Sequence, residues 1–497
     1  MRLASFGHQG RPQAFSIVLS AFLLGIAVGA VVGRCRCQRS TELLKESGRW
    51  LMLAGFVDTL ILIFSPFALM PSPGSMLLLG VFIMFSAGLK GVIFPIVHHI
   101  GSSSDVVSLG RSISRIYVAN IAGATLGPLV TGFILLSLLT AGQVFALIAI
   151  LTMLTGLITA HGLNWFTPPA HLLSACFLVI SGQLVWSSFD PLPFVATNNG
   201  QGSLLGKMIQ NRQGVIHLAS TTDGGGSVTY GGNIYDGRTS VDLKRNLNRL
   251  DRAYFSAILH PSPRRILIIG LSTGAWTRVV AGLKDVEHID VVEINPAYLE
   301  LIRESPEVAP ILTDPRIHIH IDDGRRWLRA NPGRQYDLIF QNTTFHWRAY
   351  TTLLLSAEYF EEIRRHLKPS GIMACNTTGS LDVYFTARKV FQYAVRYDNF
   401  VYMSDTALRR RPDALPYMVA AKVGTEPAFS EDFLRSSAIG NALLTSPIES
   451  VESYIAARQP TIVPEKIEDM NLLTEMRHGR PNPIPWLRRF LPPNPSP

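Results

Sequence analysis

Long apolar runs dominate the first third of this 497-residue chain, and they limit what it can fold into. An α-helix needs about 20 apolar residues to cross a hydrocarbon core of ~30 Å. Charged residues become frequent only after residue 200. The sequence therefore predicts an N-terminal α-helical transmembrane bundle of about six spans within residues 1–190. The apolar segments lie near residues 14–33, 50–70, 75–100, 115–138, 142–161 and 170–189.

Glycines recur at four-residue spacing in two of these segments. Gly25, Gly29 and Gly33 lie in the first segment, and Gly123 and Gly127 lie in the fourth. Residues four apart share one face of a helix, and small side chains let helices approach closely in lipid. The pattern predicts a packed bundle rather than a single anchor.

Four polar residues interrupt the apolar segments, namely Asp58, Lys90, Asn120 and Gln183. Ionisable groups inside a membrane are costly, and they usually face the bundle interior or a cavity. For Asp58 and Lys90 two interpretations stay open, a polar site or pathway and a hydrogen-bonded contact between helices. For Asn120 and Gln183 we favour contacts between helices.

Basic residues cluster beside the first apolar segment. The net charge is +9 and the sequence pI is 9.4, and Arg34, Arg36, Arg39, Lys45 and Arg49 supply much of the excess. Such clusters orient membrane helices, and no nucleic-acid recognition motif accompanies this one. We therefore expect a lipid membrane as a partner and no nucleic acid. A homo-oligomer stays open.

The four cysteines are Cys35, Cys37, Cys176 and Cys375. Their spacing matches neither a disulfide framework nor a zinc site. We expect no metal site in this chain.

The pattern changes after residue 200. Alternating apolar residues with Asp-Gly and Gly-Gly turns predict β-hairpins, and the stretch from Ser240 to Pro261 shows helical periodicity. We expect a β-hairpin and helix subdomain over 200–260 and a nucleotide-binding domain over 261–425. A C-terminal extension with a proline-rich tail follows over 426–497.

A strand, a glycine-containing turn and a helix follow one another in "RRILIIGLSTGAW". Ile266–Ile269 suits a buried parallel strand, and the turn runs from Gly270 to Gly274. The next strand, "HIDVVEINP", ends in Glu293, whose carboxylate can accept hydrogen bonds from ribose hydroxyls. This combination predicts a site for a nucleoside-containing cofactor.

Three further strands complete the pattern. The strand "IHIHI" precedes Asp322 and Asp323, whose carboxylates can accept from an adenine amino group. The strand "YDLIF" precedes Gln341-Asn342, and "SAEYFEEIRRHLKPSGIMACNTT" predicts a helix, a turn and a fifth strand. Alternating strands and helices predict an α/β doubly wound sheet.

These residues together resemble the spermidine synthase family, the aminopropyltransferases, within the wider adenosylmethionine-dependent methyltransferase-like fold. The likeness rests on the 270–274 loop, "VVEIN", "DDGR", "YDLIF" and "YFSAILH". The segments "FLLGIAVGAVVGR" and "YVANIAGATLGPLVTGF" are similar to a transporter-like bundle that is fused to such domains in many bacterial proteins.

The resemblance implies roles for individual residues. Gly270, Ser272, Thr273 and Gly274 would form the cofactor loop, and Glu293 would hold the ribose. Asp322 or Asp323 would meet the adenine, and Tyr254 would lie in the amine pocket. The implied co-substrate is S-adenosylmethionine or decarboxylated S-adenosylmethionine.

The chain departs from the family pattern at the acceptor side. The family's acidic loop residue is Thr273 here, Asn342 stands where a catalytic aspartate is expected, and Ser256 replaces a glutamate. A diamine is dicationic at neutral pH, so its binding calls for carboxylates, and Asn342 cannot take up a proton. His346 titrates near neutrality and is one candidate base, while a purely structural loop is the alternative.

Two functions of different classes follow. The first is a membrane-bound, spermidine synthase-like transferase that moves an aminopropyl or methyl group to an unidentified small-molecule acceptor, with Asn342, His346 and Tyr254 on the acceptor side. The second is a non-catalytic, nucleoside-sensing domain on a transporter-like membrane protein. Ordinary polyamine biosynthesis requires a substitute for the lost acids.

The resemblance implies an integral protein of a bacterial inner (plasma) membrane, but the predicted topology contains a conflict. A cytoplasmic 34–49 loop and six complete spans would place both termini outside, whereas the implied co-substrate is cytosolic. Either segment 170–189 does not span fully, or a leading helix changes the count, or the soluble domain is external. We favour a cytoplasmic soluble domain.

Overall fold

The chain folds into two compact units in the computed structural model. Unit 1 comprises Met1–Gln201 and Gln210–Val215, and unit 2 comprises Gly202–Ile209 and Ile216–Pro497. The structure describes residues 1–70, 72–102, 106–161, 169–187, 189–197, 204–221, 224–342, 345–458 and 463–469. The predicted proline-rich tail lies outside the described residues.

Unit 1 is helical. Its helices are α1 (Arg2–Gly7), α2 (Pro12–Cys37), α3 (Leu43–Leu69), α4 (Pro73–Gly91), α5 (Ile93–Gly101), α6 (Val106–Val130), α7 (Leu136–Leu138), α8 (Ala141–His161), α9 (Pro169–Trp186) and α10 (Leu192–Thr197), with a π-helical segment, Thr131–Leu135, between α6 and α7. Each of the six predicted apolar segments is therefore helical over most of its described residues. Among those residues, five helical stretches are long and apolar enough to cross a membrane: Pro12–Cys37, Leu43–Leu69, Gly74–Gly101, Ser108–Leu138 and Ala141–Ala160.

The glycines of the two predicted packing faces have different surroundings. A Cβ atom at Gly29 would lie 2.1 Å from the carbonyl oxygen of Gly88, so α2 and α4 touch through their backbones. Gly25 packs in the same way, with Met84 O at 2.3 Å from its Cβ position. No described atom lies within 4 Å of such a Cβ at Gly123 or Gly127. The first glycine face is therefore a helix contact, whereas the second has no neighbour in the described part of the chain.

Asp58 on α3 and Lys90 on α4 form an ion pair. The Lys90 Nζ lies 2.6 Å from Asp58 Oδ2, and the Ser86 hydroxyl donates to Asp58 Oδ1 at 2.5 Å. Lys90 also donates to Ser86 at 3.2 Å. Asp58 is 1% exposed, so its negative charge is neutralised within the bundle.

Unit 2 contains two larger sheets. The first is a four-stranded sheet of β1 (Leu204–Asn211), β2 (Gly214–Ser220), β3 (Ser227–Gly231) and β4 (Ile234–Arg238), in that order. The pairs β2–β3 and β3–β4 are antiparallel, as the hairpin signals predict. The predicted helix before Pro261 is shorter than its periodicity suggests: only Asp251–Leu259 (α11) is helical, and irregular turns occupy 241–250.

The second sheet has eight strands. They are β5 (Arg265–Ile269), β6 (His288–Glu293), β7 (Ile317–Ile321), β8 (Tyr336–Gln341), β9 (Leu367–Asn376), β10 (Tyr393–Tyr397), β11 (Phe400–Ser404) and β14 (Glu449–Ser450), while β12 (Lys422–Val423) and β13 (Glu426–Pro427) form a separate pair. The spatial order is β14-β10-β11-β9-β8-β5-β6-β7. Strands β5 to β9 are parallel, which confirms the predicted α/β doubly wound sheet.

Helices cover both faces of this sheet. They are α12 (Ala275–Val280), α13 (Ala297–Arg303), α14 (Gly324–Ala330), α15 (Ala357–Arg365), α16 (Leu381–Val390), α17 (Ala414–Val419), α18 (Glu431–Ser436), α19 (Ala438–Leu444) and α20 (Val451–Arg458), with 3-10 turns at Ala309–Leu312 and Thr351–Leu354. Successive side chains of a strand face opposite sides, so Ile266 and Ile268 join one core while Leu267 and Ile269 join the other. The strand order reverses between β5 and β8, and the carboxyl ends beside this point form a crevice.

The predicted Lys-Pro-Ser-Gly turn is part of strand β9. Residues 367–376 form one strand, and the register against β8 shifts between Tyr336 and Leu338. Ser370 takes a positive φ of 66° there. The turn residues therefore form a bulge, because the chain continues along β8 on both sides of it.

Candidate functional site

The loop after β5 has the conformation that its glycines permit. Gly270, Ser272 and Gly274 have φ values of 88°, 49° and 78°, in the left-handed region. Non-glycine residues rarely adopt that region, so Ser272 is held there by its contacts. The hydroxyl of Ser272 donates to the carbonyl oxygen of Asp236 at 2.7 Å, and the hydroxyl of Thr273 donates to that of Arg238 at 2.8 Å. The side-chain hydroxyls of Ser272 and Thr273, which were predicted to bind the cofactor, thus fix the loop against β4.

Glu293 ends β6 beside this loop. Its two carboxylate oxygens accept from the backbone N–H groups of Leu271 and Asn295, each at 2.8 Å. Glu293 is 4% exposed, and burial raises the pKa of its carboxyl group to about 7. Each carboxylate oxygen can accept more than one hydrogen bond. The side chain is therefore fixed by the loop, and it can still accept from a ligand.

Asp322 and Asp323 lie at the neighbouring strand end. The backbone N–H of Asp322 donates to the carbonyl oxygen of Glu293 at 3.0 Å, which fixes the spacing between the two strand ends. The Asp322 carboxylate pairs with Arg326 at 2.5 Å, and Asp323 caps α14 by accepting from Arg326 N at 2.9 Å. The cofactor residues predicted from β5, β6 and β7 therefore share one edge of the sheet.

Asn342 follows β8 and faces the loop across the crevice. Asn342 lines a small cavity. The other lining residues are Asn248, Phe340 and eight residues from β4, β5 and the 270–276 stretch. The amide oxygen of Asn342 accepts from Asn376 Nδ2 at 2.8 Å. The preceding Gln341 is fully buried, and its side-chain amide donates to the backbone carbonyl oxygen of Leu354 at 2.7 Å.

The other two predicted acceptor-side residues lie elsewhere. Neither His346 nor Tyr254 is among the cavity-lining residues. His346 is buried, with its Nδ1 2.6 Å from the Thr378 hydroxyl. Tyr254 is 1% exposed and packs edge-on against Phe429, and its hydroxyl has no hydrogen-bond partner among the described residues. Burial also raises the pKa of the Tyr254 hydroxyl, so the group stays protonated at neutral pH and cannot take up a proton from an acceptor.

Three cavity residues with polar side-chain groups were missed in the sequence: Asp236, Asn248 and Trp276. Asp236 lies in the "YDGR" stretch that predicts a hairpin turn, and only the register of β4 brings it to the loop. Trp276 is 7% exposed, and its indole N–H has no partner in the described part of the chain. The Asp-Gly pair was the one local signal, and a turn accounts for it equally well.

Part of the second unit is similar in sequence to proteins of a known family. Residues 253–399 match the family described as spermine/spermidine synthase domain. A spermidine synthase of Coffea arabica is 31% identical over 160 residues, which cover 29% of this chain and 50% of that protein. A polyamine aminopropyltransferase of Agathobacter rectalis is 39% identical over 116 residues, covering 23% of this chain and 40% of that protein. The second unit therefore carries a spermidine synthase-like domain, and the chain spans about half the length of the curated relatives it matches, or less.

Solved structures are similar over a larger share of the chain. The crystal structure of spermidine synthase from Thermotoga maritima has a TM-score of 0.38 and 20% identity, covering 49% of this chain and 84% of that one. A spermidine synthase in complex with the transition state analogue AdoDATO has the same TM-score of 0.38 at 19% identity, covering 49% of this chain and 84% of that one.

Proposed function

We propose that this protein is a membrane-attached transferase that moves an aminopropyl or methyl group from an adenosylmethionine-type donor to an acceptor other than an ordinary diamine. The observation that carries the proposal is that Glu293 and Asn342 both lie beside the 270–274 loop. Glu293 offers a fixed carboxylate to ribose hydroxyls, and Asn342 offers an amide where a diamine would require a carboxylate.

The reaction needs little covalent chemistry from the protein. A lone pair on the acceptor attacks the carbon next to the donor's sulfonium, the carbon–sulfur bond breaks, and its electron pair stays on sulfur as a thioether. The acceptor's proton passes to a base, for which His346 is our candidate, or to water. Asn342 would orient the acceptor, and the loop and Glu293 would hold the donor, so that catalysis rests on positioning.

The acceptor class is inferred from Asn342. Asn342 is bonded to another amide, Asn376, so the side chain at this position offers no negative charge. Without a carboxylate there, a lipophilic or singly charged acceptor fits better than a dication, because a buried charge requires a partner. We propose that the apolar helices of unit 1 span a bacterial inner membrane and bring such an acceptor to a cytoplasmic domain.

A nucleoside sensor is the second candidate. It is favoured by the position of Tyr254, which lies in the apolar core, and by the absence of a carboxylate at residue 342. In this case unit 2 would bind the nucleoside without turnover, and binding would act on the helical unit.

Calorimetry and product analysis on the full-length chain in detergent separate these functions. We expect methylthioadenosine and one of the two sulfonium donors to bind. The donor that binds would then be supplied with putrescine or with phosphatidylethanolamine vesicles. Release of methylthioadenosine or adenosylhomocysteine with the lipid but not with putrescine supports the transferase, and binding without release under either condition supports the sensor. Release with putrescine would contradict the proposed acceptor class, and failure of every nucleoside to bind would remove both functions.

A further inference from the structure

A basic cavity in the helical unit has no role in the function proposed above. It lies where α2 ends and α3 begins, and its volume of about 680 Å³ is within the range of small-molecule sites. Three arginines line it, Arg36, Arg39 and Arg49, and so do Ser40 and Thr41 of the loop that connects the two helices. The cavity therefore combines positive charge with hydroxyl donors.

Both carboxylates that line the cavity are paired. Glu46 lies 3.4 Å from the guanidinium of Arg36, and Glu42 lies 2.7 Å from Lys45, which is not a lining residue. Arg36 also lies over the ring of Trp50, 5.8 Å from the ring centroid. Arg36 is thus held by its neighbours, and the negative charges of the cavity are offset before any ligand enters.

Arg39 and Arg49 remain for a ligand. Both are exposed, and neither forms a salt bridge with a carboxylate in the part of the chain that the structure describes; Arg49 acts on Glu42 through its charge only. Guanidinium groups bind phosphate oxygens through pairs of parallel hydrogen bonds. Helix α3 begins at the same loop without a side-chain cap, and the partial positive charge of its first turn adds to the arginines. These features favour a phosphate-bearing anion.

One side of the cavity is apolar, which indicates a lipid. Glu46, Arg49, Trp50 and Leu53 recur at helical spacing, so they form one stripe along α3. Leu53 is 42% exposed and lies about one turn beyond Arg49, in a helix that is long and apolar enough to cross a membrane. A ligand whose phosphate contacts the arginines would therefore lay an alkyl chain along the tryptophan and the leucine, and tryptophan is common at the headgroup level of membranes.

We propose that this cavity binds the phosphate group of an anionic phospholipid, with Arg39 and Arg49 as its main ligands. The inference rests on the part of the proposed function that places the helices of unit 1 in a membrane. Three arginines and two carboxylates leave one positive charge in excess, which matches a phosphodiester with one net negative charge. A zwitterionic lipid brings its own ammonium group, which the arginines would repel.

Lipid titration of the full-length chain in detergent tests the inference, with mass spectrometry of the intact complex to count bound lipids. The probes are dioleoyl phosphatidylglycerol, dioleoyl phosphatidylcholine and inorganic phosphate. The double variant Arg39→Gln/Arg49→Gln removes both proposed ligands. Its matched control, Arg34→Gln/Arg111→Gln, removes two exposed arginines that do not line the cavity, so both variants have the same net charge.

In the unaltered chain we expect phosphatidylglycerol to bind at least about tenfold more tightly than phosphatidylcholine, since each basic residue beside an anionic lipid contributes roughly fivefold. Arg39→Gln/Arg49→Gln should abolish this preference, and the control should keep it. Arg39→Lys/Arg49→Lys should keep part of it, because lysine retains the charge but not the paired hydrogen bonds. Melting curves in detergent without added lipid verify that each variant is folded.

The contrary outcomes separate this inference from the proposed function. No preference for phosphatidylglycerol, or an equal loss of the preference in both glutamine variants, would overturn the site and leave nucleoside binding by unit 2 untouched. Inorganic phosphate that binds as tightly as phosphatidylglycerol would overturn the lipid as the occupant. If the chain does not float with vesicles of either lipid, the membrane part of the proposed function fails, and this inference fails with it.

Discussion

Asp58 in the helical unit and Glu293 in the α/β unit are both almost completely buried carboxylates, with 1% and 4% exposure. Asp58 lies 2.6 Å from Lys90 and accepts from Ser86, whereas Glu293 accepts only from backbone N–H groups among its hydrogen bonds in the described residues. Basic side chains contribute nothing notable to the pKa of Glu293. One buried charge is neutralised by the protein, and the other is held in place for a partner from outside.

A structural acid and a ligand-binding acid differ in the source of their hydrogen-bond donors and counter-ions. A buried charge without a counter-ion is unfavourable, so it is retained where a ligand supplies the missing donors. Asp58 and Lys90 account for each other, and the open choice between a polar pathway and a helix contact is now weighted towards the contact. Asp236 lies between the two cases, because a neutral hydroxyl binds it and the charge of Arg348 only partly offsets its burial.

The largest expected effect comes from breaking the ion pair of the helical unit. Lys90→Met leaves Asp58 buried without a counter-ion, which should destabilise the chain by about 3–5 kcal/mol. Thermal unfolding of the full chain in detergent measures this effect. The double variant with Asp58→Asn should recover most of the loss.

Lys45→Met is the matched control for that experiment. Lys45 forms an exposed pair with Glu42 at 2.7 Å, so its removal should cost less than about 1 kcal/mol. An equal effect of the two lysine variants would mean that Lys90 does not stabilise the buried charge of Asp58. The contrast between Asp58 and Glu293 would then no longer hold.

The next effect concerns Glu293. Glu293→Gln keeps the shape but removes the charge, so it should weaken methylthioadenosine binding by about 1.5–3 kcal/mol, the usual contribution of a hydrogen bond to a charged group. Calorimetry measures the change, and Glu287→Gln is the control because Glu287 forms an exposed pair with Arg264. Unchanged binding in Glu293→Gln would place the nucleoside elsewhere.

The pH dependence of the same group gives a third, smaller effect. Burial raises the pKa of Glu293 from 4.5 to about 7, so ribose binding to the ionised form should weaken roughly tenfold as pH falls from about 8 to about 6. Stability of the ligand-free domain has the opposite slope. The contribution of Glu293 to stability is fully present below pH 4.5, and it is lost as pH rises through about 7.

Glu293→Gln provides the control for both slopes, since glutamine does not titrate. Binding titrations and melting curves across this pH range should lose the contribution of this one group in the variant. If the variant retains the full slope of either curve, another group carries the titration.

Much of the fold could be predicted because its signals are local. The apolar runs mark the helices of unit 1, and the short strands β5 to β8 coincide with apolar runs that end in polar residues. The loop between Gly270 and Gly274 and the carboxylate of Glu293 meet because both end adjacent parallel strands. The helix predicted before Pro261 was too long because periodicity continues through turns that tertiary contacts stabilise.

The acceptor side was less predictable because it depends on contacts between distant residues. Tyr254 matches a motif, yet its helix turns it into the core against Phe429. His346 lies four residues after Asn342, yet it binds Thr378 rather than lining the cavity. Neither position follows from spacing along the chain, since loops are placed by whatever they pack against.

Hydrophobic periodicity and turn residues act over a few positions, so the amino-acid sequence alone specifies where helices and strands form and which carboxylates end the strands. The partners of the buried charges, in contrast, follow from how distant elements pack against each other. Lys90 reaches Asp58 from another helix, and Asp236 reaches the cavity because the register of β4 against the loop brings it there. The environment of a buried charge is set by non-local packing, and that environment separates a structural pair from a binding site.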